Sequence, residues 1–419
     1  MSKIIKLDYI TKIEGHAKLY IKIEDNKVKD VKLEIYEGAR FFEDLVSNLE
    51  VKQIPIITSR ICGMCSVSHQ IASCIAIENA YELQVSTQTK ILREVILLAS
   101  TIQSHIIHLF FMVLPDYYNK SSAIELAKDQ PQVINLGIKI LSIAKKILNI
   151  IGGREVHSVT LRVGRIIALP SKEEIEELKI EVEKELDAIF EDFTNIFSTL
   201  QNPEFQSDSN FITLYKNQIH TMEDEKYNLD HYINDISFKM KKYSSSKFIK
   251  LNNKNIITSA LSRLNMNHKK YQNKTKEFIS KINIRLPSKN PFDNNFAQAV
   301  EIIESFEKTI KELGKIKEIK REGHILLDEK KVLKGRVAIN VPRGILIHDY
   351  EIEEGVIKKL KLITPTTQNI QSIEDDIKKL LPQILDKSKE DVINMIERLI
   401  RAYDPCISCS THFLKVYWE

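Results

Sequence analysis

The 419-residue sequence predicts a mostly α-helical chain with small β parts, an α+β fold built as one large domain. Three observations predict it. From about residue 70 to residue 333, apolar residues recur mainly at helical spacing, in runs too long for strands. Strand-like alternation is confined to two stretches, residues 17–36 and 334–364. Finally, two Cys-x-x-Cys pairs, Cys62/Cys65 and Cys406/Cys409, lie 344 residues apart, so a site using both ties the two ends of the chain together.

Composition narrows the function. The 61 Lys and Arg against 57 Asp and Glu leave a charge of only +4, with the lysines interleaved among acids, so nothing in the charge argues for nucleic acid and none is expected as a partner. The stretch Met1–Asp8 is charged and lacks the apolar core of a signal peptide. The most apolar run, Ile91 to Leu114, carries Arg93, Glu94, Gln103, His105 and His108, too many polar groups for a bilayer span. The expectation is a cytoplasmic chain with no membrane span. Five cysteines, an odd number in a large chain with no export signal, argue against a disulfide framework.

In chain order, residues 17–36 alternate around Asp25-Asn26 as a β-hairpin, and Glu37 to Glu43 lead into a short helix. Ala72 to Leu83 reads as one helix, and Thr87 to Leu114 as a long one stopped by Pro115. Val133 to Ile150 is amphipathic and ends at Gly152-Gly153. Ser171 and Glu174 spell a capping box that opens a helix to about Leu200. Residues 203–290 show no clean period and read as irregular excursions, with helices near 254–281. Phe292 to Leu313 is helical again, residues 334–364 are β-rich, and Ser372 and Ser388 are expected N-caps, the second helix ending near Tyr403. The division expected is an N-terminal β part with the first cysteine motif (1–70), a helical body (71–333), a β/helix part with the second motif (334–412), and a tail (413–419).

The chemistry lies in the two motifs. Thiolates select zinc, copper(I), nickel or iron–sulfur clusters. Two Cys-x-x-Cys pairs are compatible with a structural zinc site, yet zinc ribbons draw their pairs from a short module. Here each pair is followed by a histidine, His69 or His412, and the first is preceded by Arg60. Such extra groups suit a reactive centre rather than a closed structural one.

Arg60-Ile61-Cys62-Gly63-Met64-Cys65 with His69, and Asp404-Pro405-Cys406-Ile407-Ser408-Cys409 with His412, resemble in full the two signatures of the large, catalytic subunit of [NiFe] hydrogenases, of the soluble cytosolic type. Ile10–His16 is similar to a further family segment, with Lys12 where the family has Arg. So are Arg40–Glu43, Gln103–Asp116, Gly152–His157 (with Ser158 in place of a proline), Pro342-Arg343-Gly344 and Pro365–Asn369. The resemblance covers roughly residues 8–175 and 335–412 and implies that family's fold, with a long central helix bundle.

It also implies roles. Cys62 and Cys406 would be terminal nickel ligands, and Cys65 and Cys409 would bridge nickel to iron in a Ni–Fe(CN)2(CO) centre that cleaves H2 heterolytically and reversibly. Glu14 would carry the proton from Cys406. Arg343 and Thr366 would hydrogen-bond the cyanides, His69 a bridging sulfur, and Asp116 would hold Arg343. Glu43, the Leu362 carbonyl and His412 would bind Mg2+ or Fe2+. Cys74 reads as a small core residue. With no cysteines left for iron–sulfur clusters, electrons would leave through an iron–sulfur small subunit, with further electron-transfer subunits beyond it. The tail 413–419 is similar to the extension that family precursors lose on maturation, and a permanent tail fits the sequence equally well. An H2-sensing relative keeps the same residues, so the sequence leaves that reading open beside the enzyme and the zinc-stabilised structural protein.

Overall fold

In the computed structural model, which describes residues 2–25, 27–323 and 332–411, helices dominate and the sheets are small and separate. Strands β1 (Ser2–Leu7), β2 (Ala17–Glu24) and β3 (Lys27–Ile35) form an antiparallel sheet in that order. The predicted hairpin is its β2–β3 half; Asn26 lies outside the described residues. The alternation is physical: Ala17, Leu19, Ile21 and Ile23 face the core while their neighbours face outward.

Helix α1 (Ser66–Ala80) begins directly after Cys65, earlier than the pattern predicted, and is buried along nearly its whole length. Helix α2 (Thr87–His108) is opened by Ser86, whose hydroxyl accepts the Thr89 N–H at 3.0 Å. Pro115 does not stop it. A π-helical turn, Leu109–Val113, widens the ladder and lets the helix continue through Leu114–Tyr117 past the proline ring. The whole helix, Thr87–Tyr117, is long and apolar enough to cross a membrane, with mean hydropathy 1.7, but two-thirds of its apolar window (67%) is buried in protein. Its polar groups find partners inside: Arg93 pairs with Glu78 and His105 with Glu301. Helix α3 (Pro131–Gly152) packs beside it, and α4 (Lys172–Phe197), opened by the full Ser171/Glu174 capping box, packs on α3 and meets the long helix where Phe193 faces Phe110.

The middle of the chain is more ordered than its composition implied. Residues 203–290 hold strands β4 (Asn210–Tyr215), β5 (Gln218–Thr221), β6 (Lys226–Tyr227), β7 (Ile236–Met240), β8 (Lys247–Leu251) and β9 (Ile256–Thr258). Helices α5 (Ala260–Asn267) and α6 (Asn273–Lys281) follow. β4 and β9 are buried throughout or nearly so, which erases the two-residue period. Helix α7 (Asn294–Leu313) returns to pack on α2 and α4.

A last antiparallel sheet, β10 (Val332–Val341), β11 (Gly344–Glu353) and β12 (Val356–Ile363), lies against α1. Gly335 makes this contact possible: a Cβ there would stand 2.1 Å from the Ala76 carbonyl of α1. Helices α8 (Pro365–Leu380), α9 (Lys389–Ala402) and the short α10 (Ile407–Ser410) complete the chain. Ser388 caps α9 as predicted. Ser372 is not a cap: it sits inside α8, its hydroxyl donating to the Ile256 carbonyl of β9 at 2.8 Å.

Candidate metal centre

The four paired cysteines converge. Their sulfurs all lie within 4.8 Å of one another, and all four residues are buried. Cys62 and Cys406, first in each pair, are 3.3 Å apart. Four thiols this close cannot all ionise without a cation between them. Cys65 is held well below its ordinary range by hydrogen bonds from Cys406 and Cys409, while burial pushes Cys406 well above its own. This soft, enclosed donor set fits a nickel–iron centre. The fifth cysteine, Cys74, sits alone on α1, its thiol pushed up to about 12 by burial.

Each pair is framed from a distance. The Arg40 guanidinium donates to the carbonyls of Ile61 (2.6 Å) and Arg60 (2.9 Å), and the Arg40 N–H donates to the Thr411 carbonyl (2.6 Å). One residue therefore touches both motifs. Ile407 N–H donates to the Glu14 carbonyl at 3.1 Å, forming a single parallel bridge between Glu14 and Cys406. Gly15 allows that approach: its φ is +85°, and a Cβ would meet Ile407 Cβ at 2.6 Å. The Glu14 carboxyl accepts from the Ser408 hydroxyl (2.5 Å) and N–H (3.1 Å). Burial raises the Glu14 pKa, the nearby Cys62 adds to this, and Ser408 pulls it back.

Arg343 is buried beside the sulfurs, with Nη1 3.6 Å from Cys65 Sγ and 3.3 Å from Ser104 Oγ. Its partner is Asp404, not Asp116 as predicted: Nη2 lies 2.9 Å from Asp404 Oδ1, and Nε donates to the Asp404 carbonyl at 2.9 Å. Burial works against the Asp404 charge, yet Arg343 holds its carboxyl below the ordinary range. Gln298 donates to the other Asp404 oxygen at 3.0 Å. Asp116 is drawn away by Lys12 (2.5 Å) and Arg401, which pin the Glu14 segment to α9. Thr366 Oγ1 accepts the Cys406 N–H at 2.9 Å, and His69 Nε2 lies 3.6 Å from Cys409 Sγ. The predicted Gly152–His157 element lies against the first motif, where His157 Nδ1 meets the Ser59 carbonyl at 2.9 Å.

Of the expected hard-cation set, Glu43 and Leu362 adjoin. Leu362 N–H donates to Glu43 Oε1 at 2.8 Å, and Lys247 Nζ stands 3.1 Å from Glu43 Oε2. His412 lies outside the described residues, as does the tail 413–419.

Asp404, Ser408, Arg40 and Ser104 fall within segments the sequence singled out, but no role was assigned to them there. Asp404 and Ser408 stand inside the second motif itself, Arg40 in the Arg40–Glu43 segment and Ser104 in the Gln103–Asp116 segment, which were usable signals.

The sequence pattern of the nickel-dependent hydrogenases matches residues 40–140 and 204–412, well over half of the chain. The chain belongs to that family. It is accordingly an oxidoreductase, the large subunit of a nickel-dependent hydrogenase. The alpha chain of sulfhydrogenase 2 from Pyrococcus furiosus is 30% identical over 99% of this chain and 100% of the relative. A vhc F420-non-reducing hydrogenase component from Methanococcus voltae is 27% identical, covering 97% of this chain and 94% of its own. The beta chain of the NAD-reducing hydrogenase HoxS from Cupriavidus necator is 24% identical over 99% and 96%. Among solved structures, an NAD+-reducing [NiFe]-hydrogenase in its H2-reduced state shares the fold with a TM-score of 0.81 at 20% identity, covering 98% of this chain and 99% of that one. The [NiFeSe]-hydrogenase of Dm. baculatum gives the same TM-score at 19% identity, over 98% and 100%.

Proposed function

We propose that this chain is the catalytic subunit of a cytoplasmic [NiFe] hydrogenase that interconverts H2 with protons and electrons and hands the electrons to an iron–sulfur small subunit. The observation that carries this reading is the buried four-sulfur cluster with the Arg343 guanidinium aimed at one of its members. Cys62 and Cys406 would hold nickel terminally, and Cys65 and Cys409 would bridge to an iron bearing cyanide and carbon monoxide. When bound, that centre supplies the electrophilic metal pair on which H2 is split heterolytically.

The chain's own residues do the rest. Glu14, held against the second motif by Ser408 and with its pKa raised by burial, takes and returns the proton at its carboxyl oxygens. Arg343, locked by Asp404, offers fixed charged donors to the cyanides. Thr366 uses its oxygen on the Cys406 N–H and keeps its own proton to donate. His69 donates to the Cys409 sulfur. Glu43, the Leu362 carbonyl and His412 would hold Mg2+ or Fe2+. The sequence has a single cysteine outside the cluster, the buried Cys74, so the electron path lies in a partner. The relatives named as subunits, those of sulfhydrogenase and of an NAD-reducing enzyme, support an assembly of several chains.

Nickel and iron analysis with infrared spectroscopy of the purified protein tests this. Nickel and iron with cyanide and carbon monoxide bands are expected. Zinc without nickel and without those bands overturns it. Viologen-coupled H2 oxidation is the expected activity, and a loaded, inactive complex would mark a sensor instead.

A further inference from the structure

His105 and His108 stand about one turn apart on α2, both buried, and their surroundings ask for different numbers of protons. His105 Nε2 meets Glu301 Oε2 at 2.9 Å, and its Nδ1 has no hydrogen-bond partner. A neutral ring with its proton on Nε2 satisfies that arrangement, and burial lowers the His105 pKa in the same sense. His108 has an oxygen on each side: Nδ1 meets Gln298 Oε1 of α7 at 2.6 Å, and Nε2 meets the Arg401 carbonyl of α9 at 2.8 Å.

A carbonyl oxygen only accepts, so His108 Nε2 carries a proton. The Gln298 amide is oriented by its other end, where Nε2 donates to Asp404 Oδ2 at 3.0 Å. Turning the amide over would set its oxygen against a carboxylate that Arg343 keeps ionised, with Nη2 2.9 Å from Asp404 Oδ1. Gln298 therefore presents its oxygen to His108, and Nδ1 carries a proton as well. A ring with a proton on both nitrogens is a cation, and a buried cation needs a counter-charge. The groups around it supply one. Asp404 Oδ1 lies 3.9 Å from Nε2. Glu301 on α7 is taken by Arg263 and His105, and the Arg401 guanidinium turns away to Asp116 and Glu397.

We infer that His108 is a positioning residue for the metal centre, held as an imidazolium that gives Asp404 a second cation. Through Gln298 and the Arg401 carbonyl it ties α2 to α7 and to the end of α9 that leads into the second motif. Asp404 then stands between two positive charges, and one of them, that of Arg343, also faces the Cys65 sulfur at 3.6 Å. Two cations against one carboxylate leave a net positive charge beside the sulfurs, which draws electron density from a centre held by thiolates. That effect rests on the metal reading above; the two protons of His108 do not. With a neutral side chain in place of His108, Asp404 and Arg343 cancel and the centre becomes more electron-rich.

Neutron diffraction from crystals of the whole complex at neutral pH reads the protons directly. Hydrogen or deuterium on both Nδ1 and Nε2 of His108 is expected, and a bare nitrogen on that ring overturns the inference whatever the metal content. The electronic effect is read in His108→Gln, whose amide still donates but carries no charge, with nickel and iron content, melting midpoint and infrared spectrum measured together. The expected result is parental metal content with the carbon monoxide band shifted to lower wavenumber, and His108→Lys, which keeps the charge, should return the band towards its parental position. A fully loaded His108→Gln whose band does not move overturns the inference, since a purely packing role lowers the midpoint and leaves the band in place. Should His108→Gln fail to hold metal, the neutron density of the parent decides alone. Absence of any such band in the parent protein is a different failure, that of the metal centre itself.

Discussion

The two cysteine pairs are nearly the same words in sequence and draw unequally on local and remote support. Cys65 is the N-cap of α1, a 15-residue helix buried along nearly its whole length, so the first pair is anchored at Cys65 by one rigid element, with Arg40 adding remote hydrogen bonds to Arg60 and Ile61. The helix N-terminus also favours thiolate there. Cys406 caps only the four-residue α10, and Asp404 just before it sits in the left-handed region at φ 47°. What fixes the second pair is a set of hydrogen bonds from remote segments: Glu14, Arg40, Arg343 and Thr366. The same ligand spacing can thus be supported by local or by long-range structure, and only the local kind is written beside the motif.

Equal chemistry with unequal support can be broken experimentally, and the largest effect should be blind to the difference. Cys62→Ser and Cys406→Ser should each abolish nickel retention and H2 oxidation, as metal analysis and viologen assay will show; retention in either would mean that the four sulfurs do not form one site. Glu14→Gln should lower H2 oxidation by about 100-fold or more while nickel and iron stay at parental content, because a general acid–base group is lost and a neutral isostere keeps the Ser408 contact.

The next effect concerns the approach to the second pair. Asp376 accepts from the Tyr403 hydroxyl at 2.5 Å, and burial raises its carboxyl to about 6 from an ordinary 3.8. Because the folded value lies above the unfolded one, the stabilisation is complete below the unfolded value and is lost as pH rises through about 6. It amounts to about 3 kcal/mol, so denaturant unfolding should show that much pH-linked loss in the parent from this group. In Asp376→Asn the loss should be absent. Thr366→Val strands the buried Cys406 N–H and should cost about 1–3 kcal/mol, with nickel retention weakened. Arg40→Lys keeps the charge but not the fork on Arg60 and Ile61, and should cost about 1 kcal/mol; a larger effect than Thr366→Val would show that the first pair depends on remote support as much as the second.

The legible part of the molecule was the part spelled locally. The cysteine motifs, the Ser171/Glu174 box and the β2–β3 alternation each declare themselves over a short stretch of neighbouring residues. The strands of residues 203–290 did not, because β9 is three residues long and pairs in parallel with β4, some 46 positions away. Ser372 has the composition of a cap and the environment of a core hydroxyl, a distinction made by Ile256 from another element. Asp116 faces two cations, Lys12 and Arg401, whose distance along the chain hid their proximity, and that competition left Arg343 to Asp404.

The 344 residues between Cys62 and Cys406 also impose an order of events. A ribosome adding about 5–20 residues per second makes the second pair tens of seconds after the first. Throughout that interval α1 and α2 can fold beside Cys62 and Cys65 while half of the sulfur donors do not yet exist, and β11 joins them only near its end. Closure of the pocket therefore waits on the short segment that carries Cys406 and Cys409, and whatever delivers metal meets a scaffold already largely shaped.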